Sequence, residues 1–317
     1  MTTSSAAIRP ERSLAVGESH YVIVGTNRAV LHAARWLRQL GNSVTGAQTL
    51  EAARASSPAP LAILIAGDTI KQRPRTEEEA GPTEIILWDY EVGRPGVGDL
   101  ACAVSGVSTV IGPADGAPGL MPAKIPEKWV GLYGASLALS LKIAEAHARP
   151  SLPRRIDVSA ADLLRAFAEQ NSGNHAGVPY GWSRNGRTAI EHGGVFPQGF
   201  FPCKDGFVAV QARSRPDWRA IVAALGDPEW SKDPAFENPF KLSEDDSRVA
   251  PLLDQELMQR SRRELLELAI NTGAPMAPVL SLEEAKDWNV FRPGFFDENG
   301  APCPPFVVRR VQEGIGQ

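Results

Sequence analysis

The chain has 317 residues, enough for two domains or for one domain with a large insertion. Hydrophobic residues make up 43% and charged residues 22%, which is ordinary for a globular protein. The net charge of −4 argues against a general nucleic-acid or membrane-surface binder, because no basic field attracts either partner. No apolar run approaches the roughly 20 residues that span a bilayer, so we expect no membrane contact.

The cysteines and histidines are scattered along the chain. Cys102, Cys203 and Cys303 are widely separated, and the five histidines form no cluster with them. This spacing predicts neither a disulfide framework nor a metal site, and it fits a reducing cytoplasm, which is the predicted location. Residues 1–19 lack the apolar core of a secretory signal, so we expect a flexible tail there.

Strands and a helix alternate in the first part of the chain. Residues 21–24 are predicted to form a buried strand, and residues 29–40, apolar at helical spacing, a helix that Gly41 ends. Two more buried strands are predicted at residues 61–65 and 84–88. Strand, helix and strand at this spacing predict an α/β fold with a doubly wound parallel sheet.

A second helical region follows. A long helix is predicted at residues 129–148, a short strand at residues 156–158 and a further helix from Ser159 to about residue 170. Residues 171–198 are rich in glycine and polar side chains. That composition is typical of a long functional loop rather than of core.

The last third of the chain begins with a hairpin pattern. Residues 200–211 alternate around Lys204-Asp205-Gly206, which favours two strands and a tight turn. Helices are predicted at residues 217–225 and 249–270. A connector is expected to follow, as far as residue 290.

The turn after the first strand invites comparison with a dinucleotide-binding fingerprint. It reads Gly25-Thr-Asn-Arg-Ala-Val30, with the first glycine of G-x-G-x-x-G but neither of the others. Those glycines allow the backbone to approach a pyrophosphate and the helix to pack on the strand. We therefore interpret this turn as part of a structural strand-helix unit.

Five segments resemble the class III CoA-transferase family (the carnitine and formyl-CoA transferase type), in the family's order. They are residues 22–44, the run from Arg94-Pro-Gly to Gly106, Ile156-Asp-Val-Ser-Ala-Ala-Asp162, Phe201-Pro-Cys-Lys-Asp-Gly-Phe-Val208, and residues 260–292 with Gly273-Ala-Pro-Met-Ala-Pro-Val279. No single segment is decisive, but the five together extend over most of the chain.

The resemblance implies a fold, an assembly and a substrate class. The fold is a Rossmann-like parallel-sheet large domain, residues 20–199 plus 291–317, and a smaller α+β domain with its connector, residues 200–290. The assembly is an interlocked dimer, with a second copy or with a heteromeric partner of the same family. The substrates are an acyl-CoA and a carboxylic acid, so coenzyme A is a substrate and no cofactor is permanently bound.

Asp162 is the residue that the resemblance places as nucleophile. Its carboxylate would attack an acyl-CoA thioester to give a mixed anhydride, and CoA would then form an enzyme thioester before it passes to the acceptor acid. Asp162 lies in the first turn of a predicted helix, whose dipole favours an anion. The structural alternative is a capping box, because Ser159 and Asp162 have the spacing of one.

Other candidate residues also follow from the resemblance. Gly193 and Gly194 fall in the family's mobile glycine-rich loop, where backbone N–H groups could stabilise an oxyanion; the alternative is an ordinary glycine pair. Ala103, Val104, Ser105 and Gly106 fall where the family packs the pantetheine arm, although small residues also mark tight core packing.

The chain departs from the family pattern at the nucleotide end of CoA. Two family segments that follow the first helix and hold that end are missing, and Glu127 stands where an aspartate is expected. Arg28 and Arg38, with Arg35 and Arg73, are candidates for replacing the phosphate contacts; the alternative for each is a solvated charge.

Three functions therefore remain open at this point. The first is an active CoA-transferase. The second is a non-catalytic or accessory homologue, either a subunit of a heteromeric transferase or an acyl-CoA binding protein. An acyl-CoA racemase is less favoured, because the two bases that it needs would include a histidine before Asp99, where Gly98 stands.

Overall fold

The structure is a computed structural model in which part of the chain is described. The described residues are 19–70, 81–113, 115–122, 124–146, 155–171, 174–175, 178–179, 184, 186–187, 194–288 and 291–303. The predicted flexible tail lies outside these residues apart from Ser19.

The described chain divides into two compact units. The first comprises the described residues that fall within 1–111, 118–170 and 292–317, and the second those within 112–117 and 171–291. The sequence predicts the main domain boundary between residues 199 and 200, whereas in the structure the two units divide near residue 171. The assignment of functional domains to these units stays a prediction.

The first unit is built on a parallel sheet. Its strands are β1 (His20–Val24), β2 (Ser43–Ala47), β3 (Ala62–Ala66), β4 (Thr83–Trp88) and β5 (Arg155–Ser159). Within the described residues these five strands lie in the order β2-β1-β3-β4-β5, all parallel. The chain runs outward from β1 to β2 and then returns to the other side of β1, which places a topological switch point between β1 and β3.

Helices connect these strands. They are α1 (Arg28–Gln39), α2 (Leu50–Arg54), α3 (Gly98–Ser105), α4 (Ile125–Ala146) and α5 (Ala160–Asn171). The Asn27 side chain caps α1 by accepting a hydrogen bond from the N–H of Val30 at 3.0 Å. Helix α3 ends at Gly106, whose φ of +85° favours glycine.

The alternation of strand residues divides the core of this unit into two layers. One layer packs strand residues against α1 and α4, and includes Tyr21, Ile23, Leu64, Ile85, Leu87, Val30, Ala33, Val130 and Ala138. The other layer includes Val22, Val24, Ile63, Ile65, Ile86 and Ala53. Apolar side chains on both faces explain why these strands read as continuous hydrophobic runs in the sequence. The predicted doubly wound α/β fold is confirmed.

The second unit contains an antiparallel sheet and several helices. Its elements are β6 (Asn174–His175), β7 (Val178–Pro179), β8 (Gln198–Cys203), β9 (Gly206–Gln211), α6 (Arg215–Ala224), α7 (Pro239–Leu242), α8 (Ala250–Met258), α9 (Arg262–Thr272), β10 (Met276–Pro278) and α10 (Leu282–Asp287). Strands β8 and β9 form the hairpin that the sequence predicts, and β10 pairs with β9. This unit has its own core, which includes Phe201, Val208, Ile221, Leu253 and Leu265.

One prediction about the second unit was wrong. The single helix predicted at residues 249–270 is two helices, α8 and α9, because Ser261 starts a new helix in a complete capping box with Glu264. The expected connector contains β10 and α10, and α10 begins with the same kind of box at Ser281 and Glu284. Both Ser-x-x-Glu patterns are visible in the sequence.

Three shorter elements of the first unit, β2, α2 and α3, were not predicted. Strand β2 is short and mostly exposed, so it lacks the apolar run of the other strands. Helix α3 lies inside the Arg94 to Gly106 segment, which was recognised by family pattern and not by periodicity. Where the chain is described, no helix is long and apolar enough to cross a membrane.

Candidate active site at the carboxyl edge of the parallel sheet

Polar residues follow four strands of the parallel sheet. Asn27 comes after β1, Asp68 after β3, Asp89 after β4 and Asp162 after β5. Because the carboxyl ends of parallel strands meet at one edge, these side chains share that edge of the first unit. Open α/β sheets bind their ligands at this edge, beside the topological switch point.

The start of helix α1 is held by the loop after β4. The side-chain amide of Asn27 donates to the carbonyl of Leu87 at 2.8 Å. The carboxylate of Asp89 accepts from the backbone N–H groups of Arg28 and Ala29, each at 3.2 Å. Asp89 therefore accepts from N–H groups that have no partner within the helix. Such groups at a helix N-terminus otherwise suit an anionic ligand.

Burial perturbs this carboxyl group. Loss of solvent raises the pKa of Asp89 from its ordinary value of 3.8 to about 6, against the lowering effect of the two N–H groups. The negative charges of Glu127 and Asp68 raise this pKa further. A carboxyl group with a pKa close to neutrality at the ligand-binding edge is a frequent feature of functional sites.

A small open pocket lies at the same edge. Its lining residues are Asn27, Asp68, Trp88, Asp89, Arg94, Pro95 and Gly96. The ring of Trp88 packs directly on Gly67, where a Cβ atom would come within 2.3 Å of it, and the ring of Tyr90 approaches Gly96 in a similar way. Within the described part of the chain, no group of three or more His, Cys, Asp or Glu side chains could hold a metal ion.

Asp162 lies in the first turn of α5, immediately beyond β5. The buried hydroxyl of Ser159 accepts a hydrogen bond from the N–H of Asp162 at 3.1 Å and donates to its Oδ2 at 2.6 Å. The Ser159 hydroxyl therefore caps the helix and orients the Asp162 carboxylate at the same time. The Asp162 side chain is 63% exposed, so its carboxylate is accessible in this chain.

Arg165 connects Asp162 to the loop after β4. Its Nη1 donates to Asp162 Oδ1 at 3.2 Å, and its Nη2 donates to Glu91 Oε1 at 2.6 Å. Glu91 also accepts from Arg94 at 3.1 Å, and Arg94 lines the small pocket. Three ion pairs, Arg94–Glu91, Glu91–Arg165 and Arg165–Asp162, thus link the pocket to the candidate nucleophile.

The predicted pantetheine segment forms the end of α3 and its cap. Ala103 and Val104 are exposed, and Ser105 donates to the Cys102 carbonyl at 3.1 Å. Glu127, which stands where the resemblance predicts an aspartate, is buried and accepts from the N–H of Gly98 at 3.0 Å, so it holds the start of this helix. No ligand contact by Ala103, Val104, Ser105 or Gly106 is established, and their role stays a prediction.

The arginines proposed to contact phosphate lie at opposite ends of α1. Arg28 is exposed in the first turn, at the carboxyl edge of the sheet. Arg38 is exposed in the last turn and donates to the carbonyl of Val44 at 3.1 Å. Ten residues of helix separate them by about 15 Å, so Arg28 is close to the candidate site and Arg38 is at the far end of the helix.

Of the predicted glycine pair, Gly194 belongs to the second unit and Gly193 lies outside the described residues. Gly194 has a φ of +86°, a conformation that favours glycine, and it directly precedes the buried residues Val195 and Phe196. The predicted oxyanion role of the pair is not tested by this geometry.

Three residues of the candidate site were missed at the sequence level. Asp89 and Glu91 directly follow the buried strand β4, and Arg165 lies one helical turn after Asp162. Polar residues just after a predicted parallel strand were the available signal for the first two. The i, i+3 spacing was the signal for Arg165.

Comparison with protein families decides the class of the chain. The model of CoA-transferase family III matches residues 90–308, which include Glu91, Asp162 and Arg165. The chain belongs to CoA-transferase family III. The resemblance seen in the sequence is therefore confirmed. The matched segment begins after β4, so the chain from β1 to β4 contributes no match to the family model.

Two curated relatives of this family III chain are CoA-transferases. Succinyl-CoA:glutarate CoA-transferase of Mus musculus is 24% identical over 193 residues, covering 60% of this chain and 43% of the relative. Formyl-CoA:oxalate CoA-transferase of Bradyrhizobium sp. (strain ORS 278) is 24% identical over 227 residues, covering 64% and 52%. The chain thus spans about half the length of these relatives.

Solved structures share the family III fold over a larger part of the chain. A CAIB/BAIF family protein from Brucella suis superposes with a TM-score of 0.72 at 15% identity, covering 92% of both chains. A hypothetical protein from Mycobacterium tuberculosis gives a TM-score of 0.63 at 15% identity, covering 85% of this chain and 86% of its own. At this identity the likeness establishes the fold alone.

Proposed function

We propose that this chain transfers CoA between an acyl-CoA and a carboxylic acid, with Asp162 as the nucleophile. The observation that supports the proposal is an accessible carboxylate in a helix first turn, oriented by Ser159 and Arg165, in a member of CoA-transferase family III. A side-chain carboxylate is the group that this exchange needs, because it can become first an anhydride and then a thioester.

The proposed reaction has two halves. Asp162 attacks the acyl-CoA carbonyl, which expels CoA thiolate and leaves a mixed anhydride; the thiolate then attacks the Asp162 carbonyl and releases the donor acid. The acceptor acid reverses these steps. Its carboxylate attacks the enzyme thioester, and the returning thiolate takes the acyl group from the new anhydride, which regenerates Asp162.

The substrates are defined by class. Both curated relatives are named for reactions between acyl-CoA compounds and carboxylic acids, with different acids in each name. We propose the same two classes for this chain, with coenzyme A as substrate. The pocket beside Arg94 is the proposed entry for part of the ligand, and Arg28, at the start of α1, is the nearest proposed phosphate contact.

We propose that a second chain of the same family covers part of the first unit. Large apolar side chains are exposed along α4, at Leu132, Tyr133 and Ile143, and monomeric proteins seldom leave such a face uncovered. The proposed partner is a second copy or a heteromeric subunit of the family.

The test of this function is covalent trapping. Wild-type protein incubated with a panel of acyl-CoA compounds should gain the mass of an acyl or CoA adduct, and hydroxylamine should convert Asp162 to a hydroxamate. Asp162→Asn preserves the shape of the side chain but removes the attacking anion. Transfer by this variant should fall by at least about three orders of magnitude, because the covalent route is lost.

The chain offers a matched control for this variant. Ser214 and Asp217 begin α6 as Ser159 and Asp162 begin α5, since the Ser214 hydroxyl accepts from the N–H of Asp217 at 3.3 Å. Asp217→Asn should retain transfer while it removes an equivalent charge. Near wild-type transfer by Asp162→Asn would refute the nucleophile assignment.

A non-catalytic or accessory homologue is the second candidate. It is favoured by the extent of the family match, which begins at residue 90 and does not include Arg28 at the start of α1. A protein that forms no adduct with any acyl-CoA but is required for transfer by a partner chain would support it. A racemase is less favoured, because the described partners of Asp162 are Ser159 and Arg165 and include no histidine as second base.

A further inference from the structure

Arg165 divides its guanidinium between two carboxylates of unequal accessibility. The bond to Glu91 is the shorter, 2.6 Å, and the Glu91 side chain is only 18% exposed. The bond to Asp162 is 3.2 Å long, and that side chain is mostly exposed. The guanidinium is thus held by Glu91, while the donor that faces Asp162 is in the looser of the two contacts.

Glu91 is itself well anchored. Its second oxygen accepts from Arg94, and an isolated β-bridge joins the two residues across the turn after β4. The neighbouring carbonyl of Tyr90 accepts from the N–H of Ala161 at 3.0 Å, which ties this turn to the start of α5. Arg165 would therefore keep its position if Asp162 ceased to accept from it.

The proposed reaction removes the charge that Arg165 contacts. When Asp162 becomes an anhydride or a thioester, its carboxylate disappears and Nη1 of Arg165 loses an anionic acceptor. At the same stage the reaction either releases a carboxylate, the donor acid, or requires one, the acceptor acid. An arginine without its anion beside a reacting carboxylate is a strong, geometrically defined binding group for it.

We propose that Arg165 is a carboxylate-binding residue that exchanges partners during turnover. It holds Asp162 in the free enzyme, and it holds the carboxylate of the departing or incoming acid while Asp162 is acylated. Glu91 is the positioning residue that keeps the guanidinium in place. The inference deepens the proposed function and rests on it for its place in the reaction.

The charges balance at each step of this exchange. As the thiolate attacks the Asp162 anhydride, the C–O bond to the donor acid breaks, and its electron pair leaves as a carboxylate that takes the Nη1 donor. As the acceptor carboxylate attacks the enzyme thioester, it leaves this donor and CoA thiolate departs. When Asp162 is finally released, its own carboxylate returns to Arg165. Arg165 therefore faces Glu91 and one further carboxylate in the free enzyme and whenever a substrate acid is bound beside the enzyme thioester.

The binding step can be tested without any acyl-CoA. Asp162→Ala removes the native acceptor, and phenylglyoxal modification of Arg165, followed by peptide mass spectrometry, reports on its occupancy. Arg165 should be modified about 2- to 5-fold faster in Asp162→Ala than in wild type, as expected for loss of one exposed ion pair. Acetate should slow the modification in the variant and have little effect in wild type, where Asp162 occupies the donor.

Arg213 is the internal control in the same samples. It forms an exposed ion pair with Asp217 at 3.3 Å, remote from the site in sequence and in the other unit. Acetate that protects Arg213 as well as Arg165, or that protects neither, overturns the inference. Asp162→Asn serves as the second variant if the alanine variant does not fold.

Kinetics separate this inference from the proposed function. Arg165→Gln should still form the enzyme–CoA thioester, but the KM for the acceptor acid should rise about 10- to 100-fold, the loss expected for a hydrogen bond to a charged group. Arg165→Lys should recover part of that loss. If wild type forms no adduct while acetate protects Arg165 in Asp162→Ala, the proposed function fails and the carboxylate site stands. If wild type transfers CoA and acetate gives no protection, the site fails and the proposed function stands.

Discussion

Replacing Asp89 by Asn should change how the stability of this protein depends on pH. Asp89 accepts from two N–H groups at the start of α1 and is partly buried. The negative charges of Asp68 and Glu127 raise its pKa in addition to burial. Asn has nearly the same shape but does not titrate. The comparison therefore isolates the proton that Asp89 binds.

The sign of the effect follows from the direction of the pKa shift. Burial raises the pKa of Asp89 in the folded chain from 3.8 to about 6, so its contribution to stability is complete below pH 3.8 and is lost as the pH rises through about 6. A pKa difference of one is worth about 1.4 kcal/mol, so full burial would give about 3 kcal/mol. Since this carboxylate is partly exposed, solvent screening reduces our expectation to about 1 kcal/mol.

Urea denaturation at a series of pH values from about 4 to about 8 measures the effect. The unfolding free energy of wild type minus that of Asp89→Asn should fall by about 1 kcal/mol across this range. Any constant offset from the altered hydrogen bonds cancels in this slope. A difference that stays flat or rises with pH would refute the reasoning.

Asp245 provides a control of opposite sign. Its pKa is lowered, first by the Ser247 side chain and then by the Ser247 N–H, and the group is fully exposed. A carboxyl group whose pKa is lower in the folded chain than in the unfolded chain stabilises the fold at pH values above the unfolded pKa. This contribution is lost as the pH falls through the folded pKa. The difference between wild type and Asp245→Asn should therefore fall as the pH drops below about 3.8, and it should stay nearly flat over the range in which the difference for Asp89→Asn falls.

Three further predictions concern stability and assembly. Ser159→Ala removes the cap of α5 and should lower the unfolding free energy by about 1 kcal/mol in urea denaturation; an unchanged midpoint would contradict the capping role. Arg54→Ala removes the guanidinium that lies 2.7 Å from the buried carboxylate of Glu84, and it should lower the unfolding free energy by about 3 kcal/mol. Arg54→Lys keeps a positive charge and should lower it less; an equal loss in the two variants would contradict the reasoning. Sedimentation at low concentration should detect a dimer, which Tyr133→Glu weakens; a stable wild-type monomer would count against the proposed covering of α4.

Local patterns in the sequence were sufficient for most of the first unit and for the hairpin. Buried parallel strands are apolar on both faces, so β1, β3 and β4 are recognisable without any tertiary information. The spacing of apolar residues in α1 and the turn between β8 and β9 are equally local. The contact between Ser159 and Asp162 is also local, because a capping residue and the third residue after it interact within one helical turn.

Only the tertiary structure decided which charged residues meet. Glu91 and Arg165 are 74 residues apart, and Asp89 and the N–H of Arg28 are 61 apart, yet the order of strands places both pairs at one edge of the sheet. The sequence around a charged residue does not indicate its ion-pair partner, because that partner depends on how the strands are connected and not on the neighbouring residues. The candidate nucleophile was therefore visible in the sequence, whereas the arginine that faces it and the glutamate that anchors this arginine became visible only in the fold.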